Sequence, residues 1–402
     1  MTPAELSRTV LRTVRRAVEA GELRAPVPAR VVVRRPPRPG CGDYATNVAL
    51  QLAPHAGRPP RQVAEILRRR IEESAGVARV EIAEPGFLNI TLEGGGHSAV
   101  VRDVLAAGAS YGYGDTLAGL PAAVELRFAR EIRAAVTADA LARILRTQGA
   151  TNVRLLCDRG PDPVWAAGLG IHALYSGHAL HSGPSVGDDA SVHISPGPSV
   201  RVPPVHSLCG RPVPSVRVRP VPAPLPAVEL LQTLGPDATR WALLRPVAHD
   251  HPRTDPAELL VQRDCNPLFR VQYAHARACA LLRNAADLGI TPDPSAPDPA
   301  DGDPKAAPAA PAPNGGHPAA LLAEYPGVLA SAARLRAPDR VARHLEATAD
   351  AFLRLQAISP VLPRGDEKPE AAHRARVALA QAAGTVLAGG LHLLGITAPA
   401  HL

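Results

Sequence analysis

Apolar residues recur at helical spacing from the start of the chain. Leu6, Val10, Val14 and Val18 fall on one face of a helix, and Arg8, Arg12, Arg15 and Arg16 on the other. Asp43 suits the cap of a second helix, running through Asn47, Ala49 and Leu52 until Pro54. A third helix is predicted over Arg61–Glu73, with Val63, Ile66, Leu67 and Ile71 inward. Two strand-like runs follow, Ala78–Ile82 and Gly86–Leu92. Helices with a small antiparallel sheet make residues 1–115 an α+β domain.

The next stretch, 116–226, changes character. Val124–Phe128 and Val153–Cys157 read as strands around a helix at Ile132–Gln148. Beyond Gly160 proline, glycine, serine and histidine dominate. No periodicity survives from Pro184 to Pro226, which predicts loop or poor order. Residues 227–402 return to helical spacing. Asn266 caps a helix with Pro267 at its first position, and Gly289 stops it near Leu288. Further helices are predicted over Ala319–Ala337, Asp339–Ala357 and Glu370–Ala388, the last ended by Gly389-Gly390. Between them Thr291–Pro318 holds nine prolines and should be extended and mobile. The fold class is therefore multidomain, with the α+β domain first and an all-α bundle last.

Composition narrows the chemistry. The 402 residues carry a net charge of +7, yet only Lys305 and Lys368 among the 44 basic residues are lysine. Any step that needs an ammonium group has two candidates, both in proline-flanked, loop-like contexts. The arginine bias first suggests a GC-rich genome. The positive balance permits a nucleic-acid partner. Nothing approaches about 18 uninterrupted apolar residues, so no membrane span is expected. The N-terminus alternates arginine with apolar residues and lacks a signal-peptide block. A cytoplasmic location is the expectation. The five cysteines form no C-x-x-C pair, which argues against disulfides and structural zinc. His172, His178, His181, His193 and His206 match no standard metal spacing, so no metal and no cofactor are expected.

Several segments, taken together, resemble the arginyl-tRNA synthetases. GDYATNVALQLA (Gly42–Ala53) and PGFLNITL (Pro85–Leu92) are similar to hallmark segments of that family's N-terminal additional domain. GPDATRWALL (Gly235–Leu244) resembles the approach to its anticodon-binding bundle. NPLFRVQYAHARACALLRNA (Asn266–Ala285) resembles the bundle's central helix, and VLAGGLHLLGITAP (Val386–Pro399) its C-terminal signature.

The middle departs from the family. VELRFAR (Val124–Arg130) resembles the strand before the H-x-G-H motif, and IRAAVTADALARILRTQGATNV (Ile132–Val153) the helix after it. The motif between them is missing. His178-Ala179-Leu180-His181 has the histidine spacing, but it follows the helix and puts leucine where glycine is needed. The lysine loop, K-M-S-K-S, has no counterpart in Cys209–Leu231, which contains no lysine. The resemblance thus implies that residues 116–226 are a truncated α/β (Rossmann-like) segment, a degenerate remnant of a class I catalytic domain, with no catalytic residue assigned.

What the resemblance then implies is a non-catalytic tRNA binder, with tRNA-Arg as its partner. The alternatives are a partner that docks on a genuine arginyl-tRNA synthetase, or a residual ligase of divergent chemistry. On the D-loop side the resemblance points to Phe87 and Asn89: a ring to stack on a base and an amide to bond a base edge. On the anticodon side the helical period divides the Asn266–Ala285 segment. Leu268, Val271, His275 and Leu282 share one face; Arg270, Tyr273, Arg277 and Asn284 share the other; Gln272 lies between. An aromatic ring between arginines suits an unstacked base and its phosphates.

Overall fold

The computed structural model describes residues 3–34, 36, 42, 44–92, 96–117, 123–160, 162–175, 215–298 and 317–402. The chain closes two hydrophobic cores. The first joins α1 (Pro3–Glu19), α2 (Val48–Ala56) and α3 (Pro60–Glu72) to an antiparallel sheet. Its strands are β1 (Val33–Arg34), β2 (Tyr44–Thr46), β3 (Val77–Ala83) and β4 (Phe87–Leu92), in the order β1-β2-β4-β3. Leu6, Val10 and Val14 of α1 meet Leu67 and Ile71 of α3 and Leu88 and Ile90 of β4, all fully buried. At about 1.5–3 kcal/mol for each buried aliphatic side chain, this small core accounts for the domain's cohesion.

One local reading changes here. Asp43 lies outside the described residues, and Tyr44–Thr46 form a strand where a helix was expected. Tyr44 and Thr46 alternate inward and pair with Ile90 and Leu88, while Thr46 Oγ1 donates to Val32 O at 2.9 Å. The helix starts only at Val48, and it carries Pro54 in its last turns instead of ending before it.

The second core is built from α4 (Gly96–Ala107), a parallel sheet and a helical bundle. The sheet holds β5 (Ala123–Phe128), β6 (Asn152–Cys157), β7 (Leu174–Tyr175) and β8 (Ser215–Val218), ordered β7-β6-β5-β8. Two helices lie between its strands, α5 (Ile132–Thr147) and α6 (Pro163–Leu169). The bundle comprises α7 (Ala227–Leu244), α8 (Pro256–Leu259), α9 (Pro267–Asp287), α10 (Pro318–Leu335), α11 (Asp339–Ile358) and α12 (Ala371–Leu394). Val104, Leu126, Phe128 and Ile144 share one continuous core with Trp241, Val271, Leu345, Phe352 and Leu387. The first core thus stops near residue 92, short of residue 115, because α4 packs on α10 and α12.

A helix buried nearly all round joins sheet to bundle. Ala134, Ala135, Ala138, Ala140 and Ala142 of α5 are all buried, which lets neighbouring backbones come close. Asp139 on this helix accepts from Arg240 of α7, whose guanidinium also donates to Leu169 O at 2.7 Å and Leu394 O at 3.2 Å.

Two further expectations are revised. The strand β8 lies in a stretch read as structureless: Ser215–Val218 is too short, and too flanked by proline, to show a period. Gly389 and Gly390 do not end α12, which continues to Leu394 and is capped by Gly395 at φ +72°. Gly390 is instead a packing contact; a Cβ there would run into Leu345 Cδ2. By length and composition α12 would span a bilayer, but most of its apolar stretch is buried in the bundle. At the start of the proline-rich stretch Asp293 N donates to Arg374 O, and Asp298 pairs with Arg376 at 2.7 Å. Residues 299–316 lie outside the described residues.

Candidate nucleic-acid interface

The outer face of α9 is set by its first turn. Asn266 Oδ1 accepts from the Leu268 and Phe269 amides, and its Nδ2 donates to Leu259 O and Val261 O. This cap fixes which residues look outward. Tyr273 is 41% exposed and stacks on Phe269, with ring centroids 5.8 Å apart and planes 17° from parallel. Arg277, one turn on, and Asn284, two turns further, are exposed. An open ring already held flat by a neighbour suits stacking by a base, since part of its ordering is complete beforehand.

Two of the expected residues are otherwise engaged. Arg270 is half-buried and pairs with Asp350 of α11 at 3.4 Å. Gln272 Nε2 donates to Asp237 Oδ2 at 3.2 Å and to Thr397 O at 3.1 Å. Asp237 also accepts from the Thr397 amide and hydroxyl, so Gln272 belongs to a clasp on the C-terminal segment. His275 joins that clasp. It is buried, its Nδ1 lies 3.0 Å from Pro399 O, and burial pushes its pKa down. The QYAHAR hexapeptide therefore divides: glutamine and histidine hold the tail, tyrosine and arginine face out.

Next to Arg277 and Asn284 a cavity of about 220 Å³ opens between α9 and the loop after α11. Gln356 and Arg364 also line it, and Gln356 Nε2 is buried without a hydrogen-bond partner. Two guanidiniums, an exposed amide and an orphan amide donor match the edges and phosphate of a nucleotide. Sequence reasoning missed Gln356 and Arg364. They lie about 70 to 77 residues beyond the end of α9, and nothing local marks them.

Phe87 and Asn89 sit apart from α9, in the first core. They share the outer face of β4, opposite the buried Leu88 and Ile90. Gly86, at φ +149°, runs against Pro60, where a Cβ would lie 2.9 Å from the Pro60 Cβ; the turn then presents Phe87, 39% exposed. Asn89 is buried, at 8% exposure, between cross-strand Ala45 and Glu81. The ring is available to a partner and the amide is largely covered.

The parallel sheet has its own notable point. Its order reverses between β5 and β8, and in such sheets ligands enter beyond the strand ends at this reversal. Here the start of α5, just beyond the end of β5, is bonded to the chain's own groups. Glu131 caps α5, accepting from Arg133 N at 2.9 Å and Ala134 N at 2.8 Å, and its Oε1 also accepts from Ala223 N at 2.9 Å. Arg133 is buried and donates to the carbonyls of Val221, Leu243, Val247 and Asp250. Glu131 and Arg133 together lock the segment after β8 onto the start of α5. His178 and His181 lie outside the described residues.

Comparison with known proteins agrees with this architecture. Residues 5–92 match the arginyl tRNA synthetase N-terminal domain family, and residues 271–402 the DALR anticodon binding domain family. Arginine–tRNA ligases of Renibacterium salmoninarum and Frankia alni are 29% and 28% identical, with full coverage of both chains. The first alignment runs over 559 positions against the 402 residues here, so 157 positions face no residue of this chain. The fold is shared with the arginyl-tRNA synthetases of Thermus thermophilus (TM-score 0.67, 16% identity, full coverage of both chains) and Plasmodium falciparum (TM-score 0.70, 9% identity, covering all of this chain and 99% of that one). The chain is related to the arginyl-tRNA synthetases, with their N-terminal domain at one end and an anticodon-binding domain at the other.

Proposed function

We propose that this chain is a cytoplasmic protein that binds tRNA, with tRNA-Arg as its preferred partner, and does not aminoacylate it. Binding engages the outer face of α9, through Tyr273, Arg277 and Asn284, and the exposed ring of Phe87. Arg270 and Gln272 act beneath that face by holding α11 and the C-terminal segment in place.

The observation that carries the non-catalytic reading is the closure at Glu131. A nucleotide-binding sheet leaves the first amides of the helix at the strand reversal open to phosphate. In this chain those amides are taken by a carboxylate, which repels a triphosphate as well as blocking it. The absence of H-x-G-H and of a lysine-bearing loop before α7 removes the groups that stabilise the charge developing on ATP. A second reading, a ligase of divergent chemistry, is favoured by the full-length similarity to proteins named arginine–tRNA ligase.

One preparation separates the two. Arginine-dependent ATP–pyrophosphate exchange is expected to stay at the blank, while a mobility-shift titration shows tRNA binding that weakens with salt. Exchange above the blank establishes the ligase reading. Equal affinity for tRNA-Arg and unrelated RNA removes the specific form of the tRNA reading.

A further inference from the structure

A groove of about 350 Å³ opens where the turn at residues 108–113, the last turns of α5 and the helices α10 and α12 meet. It shares no lining residue with the α9 cavity. Arg143 and Arg146 stand one turn apart on its wall, with His392 of α12 beside them and no aspartate or glutamate in the lining. Tyr113 at its rim is 55% exposed. Val386 and Leu393 supply apolar surface, and Gly389 leaves room, since a Cβ there would meet only Tyr325 Oη, at 3.8 Å.

The charge of this groove is not balanced from within. Asp139 Oδ2 accepts from Arg240 at 2.9 Å and from Arg143 at 3.2 Å, so one carboxylate serves two guanidiniums. Arg143 also donates to His392 O, and Arg146 donates through Nη2 to Val153 O at 3.0 Å. A guanidinium has five N–H donors, so both arginines keep donors beyond these bonds. Two guanidiniums with spare donors on one wall favour an oxyanion such as phosphate. The volume lies in the range of organic-ligand sites and exceeds what a bare inorganic anion fills. An exposed phenol ring at the rim adds a stacking surface for a planar base.

We propose that this groove holds one nucleoside monophosphate unit, its phosphate at Arg143 and Arg146 and its base against Tyr113. That unit comes either from a bound RNA strand or from a free nucleotide. The inference does not depend on tRNA binding at α9.

The test is calorimetric titration of the full chain with AMP, CMP, GMP and UMP, with adenosine and inorganic phosphate as separate probes. Total tRNA is titrated in parallel. The variants Tyr113→Ala and Arg146→Gln alter exposed side chains, and their melting temperatures are read alongside. A nucleotide site is expected to bind a monophosphate more tightly than either adenosine or phosphate, with each variant weakening it about tenfold. Displacement of the monophosphate by tRNA, or weaker tRNA binding in both variants, identifies the RNA strand as the source. Retention of the monophosphate under saturating tRNA identifies the free nucleotide. The proposal is overturned if neither variant changes binding of any monophosphate or of tRNA, or if inorganic phosphate binds as tightly as every nucleotide. Absence of tRNA binding by the unaltered chain, with monophosphate binding intact, would overturn the tRNA reading above and leave this one standing.

Discussion

Arg240 of α7 donates through Nη1 to Oδ2 of Asp139 on α5 at 2.9 Å, with both side chains buried. Desolvation lowers the Arg240 pKa and the Asp139 carboxylate opposes that shift, so the buried guanidinium relies on this partner to keep its charge. Removing one partner leaves a charge buried and uncompensated. Asp139→Ala should therefore cost about 3–5 kcal/mol of stability, measured by urea denaturation. A loss below about 1 kcal/mol, the range of exposed pairs, would show that the pair is not structural.

On α9 the two outward residues should separate by the kind of energy they contribute. Tyr273→Ala should cost about 1–3 kcal/mol of tRNA affinity with little change in salt dependence. Arg277→Ala should lower the slope of log affinity against log salt by about 1. Arg270→Ala, which unpairs Asp350, should register in stability more than in that slope. Equal slopes for wild type and Arg277→Ala would remove Arg277 from the phosphate contacts.

Periodicity along one helix explains how much of this surface could be read in advance. Alternation of apolar and polar positions turns Tyr273, Arg277 and Asn284 outward, and a helix must obey it wherever one side meets a core. It says nothing of what arrives from elsewhere in the chain. Arg270 meets Asp350, 80 positions on, and Gln272 meets Asp237 and Thr397. Gln356 and Arg364 join the cavity from another helix and its following loop. The parallel strands β5 and β6 were legible from their apolar runs. The short β2 and β8 were not, because three or four residues between turn-forming neighbours carry no period.

His275 offers a pH test. Burial is the largest influence on it and lowers its pKa, so the folded chain favours the neutral ring. The unfolded chain titrates near the ordinary value of about 6.5 and binds the proton more readily below it. This contribution to stability is complete above that value. It is lost progressively as pH falls towards the depressed folded pKa. Melting temperature should fall more steeply between about pH 7 and pH 5 for the wild type than for His275→Gln. Parallel curves would exclude His275 as the source.

Neighbouring glycines on α12 should respond in opposite directions. Gly389→Ala gains helix propensity of about 1 kcal/mol and meets only Tyr325 Oη, so it should raise the melting temperature. Gly390→Ala drives a methyl into Leu345 Cδ2 and should lower stability by about 1–3 kcal/mol. The same sign for both in a thermal melt would refute the close approach of α11 to α12.

The continuous second core makes the parallel-sheet layer a roof over the helices, whatever nucleotide it does or does not hold. Ile144 on α5 and Leu126 and Phe128 on β5 lie in the same apolar mass as Trp241 and Leu387. Severing the chain near residue 226 would uncover that mass from above, and the anticodon-type bundle would aggregate or fail to fold. Severing it near residue 95 would separate cores that each close on their own residues. The break between the two cores lies early in the chain, and the described residues beyond it share one apolar mass.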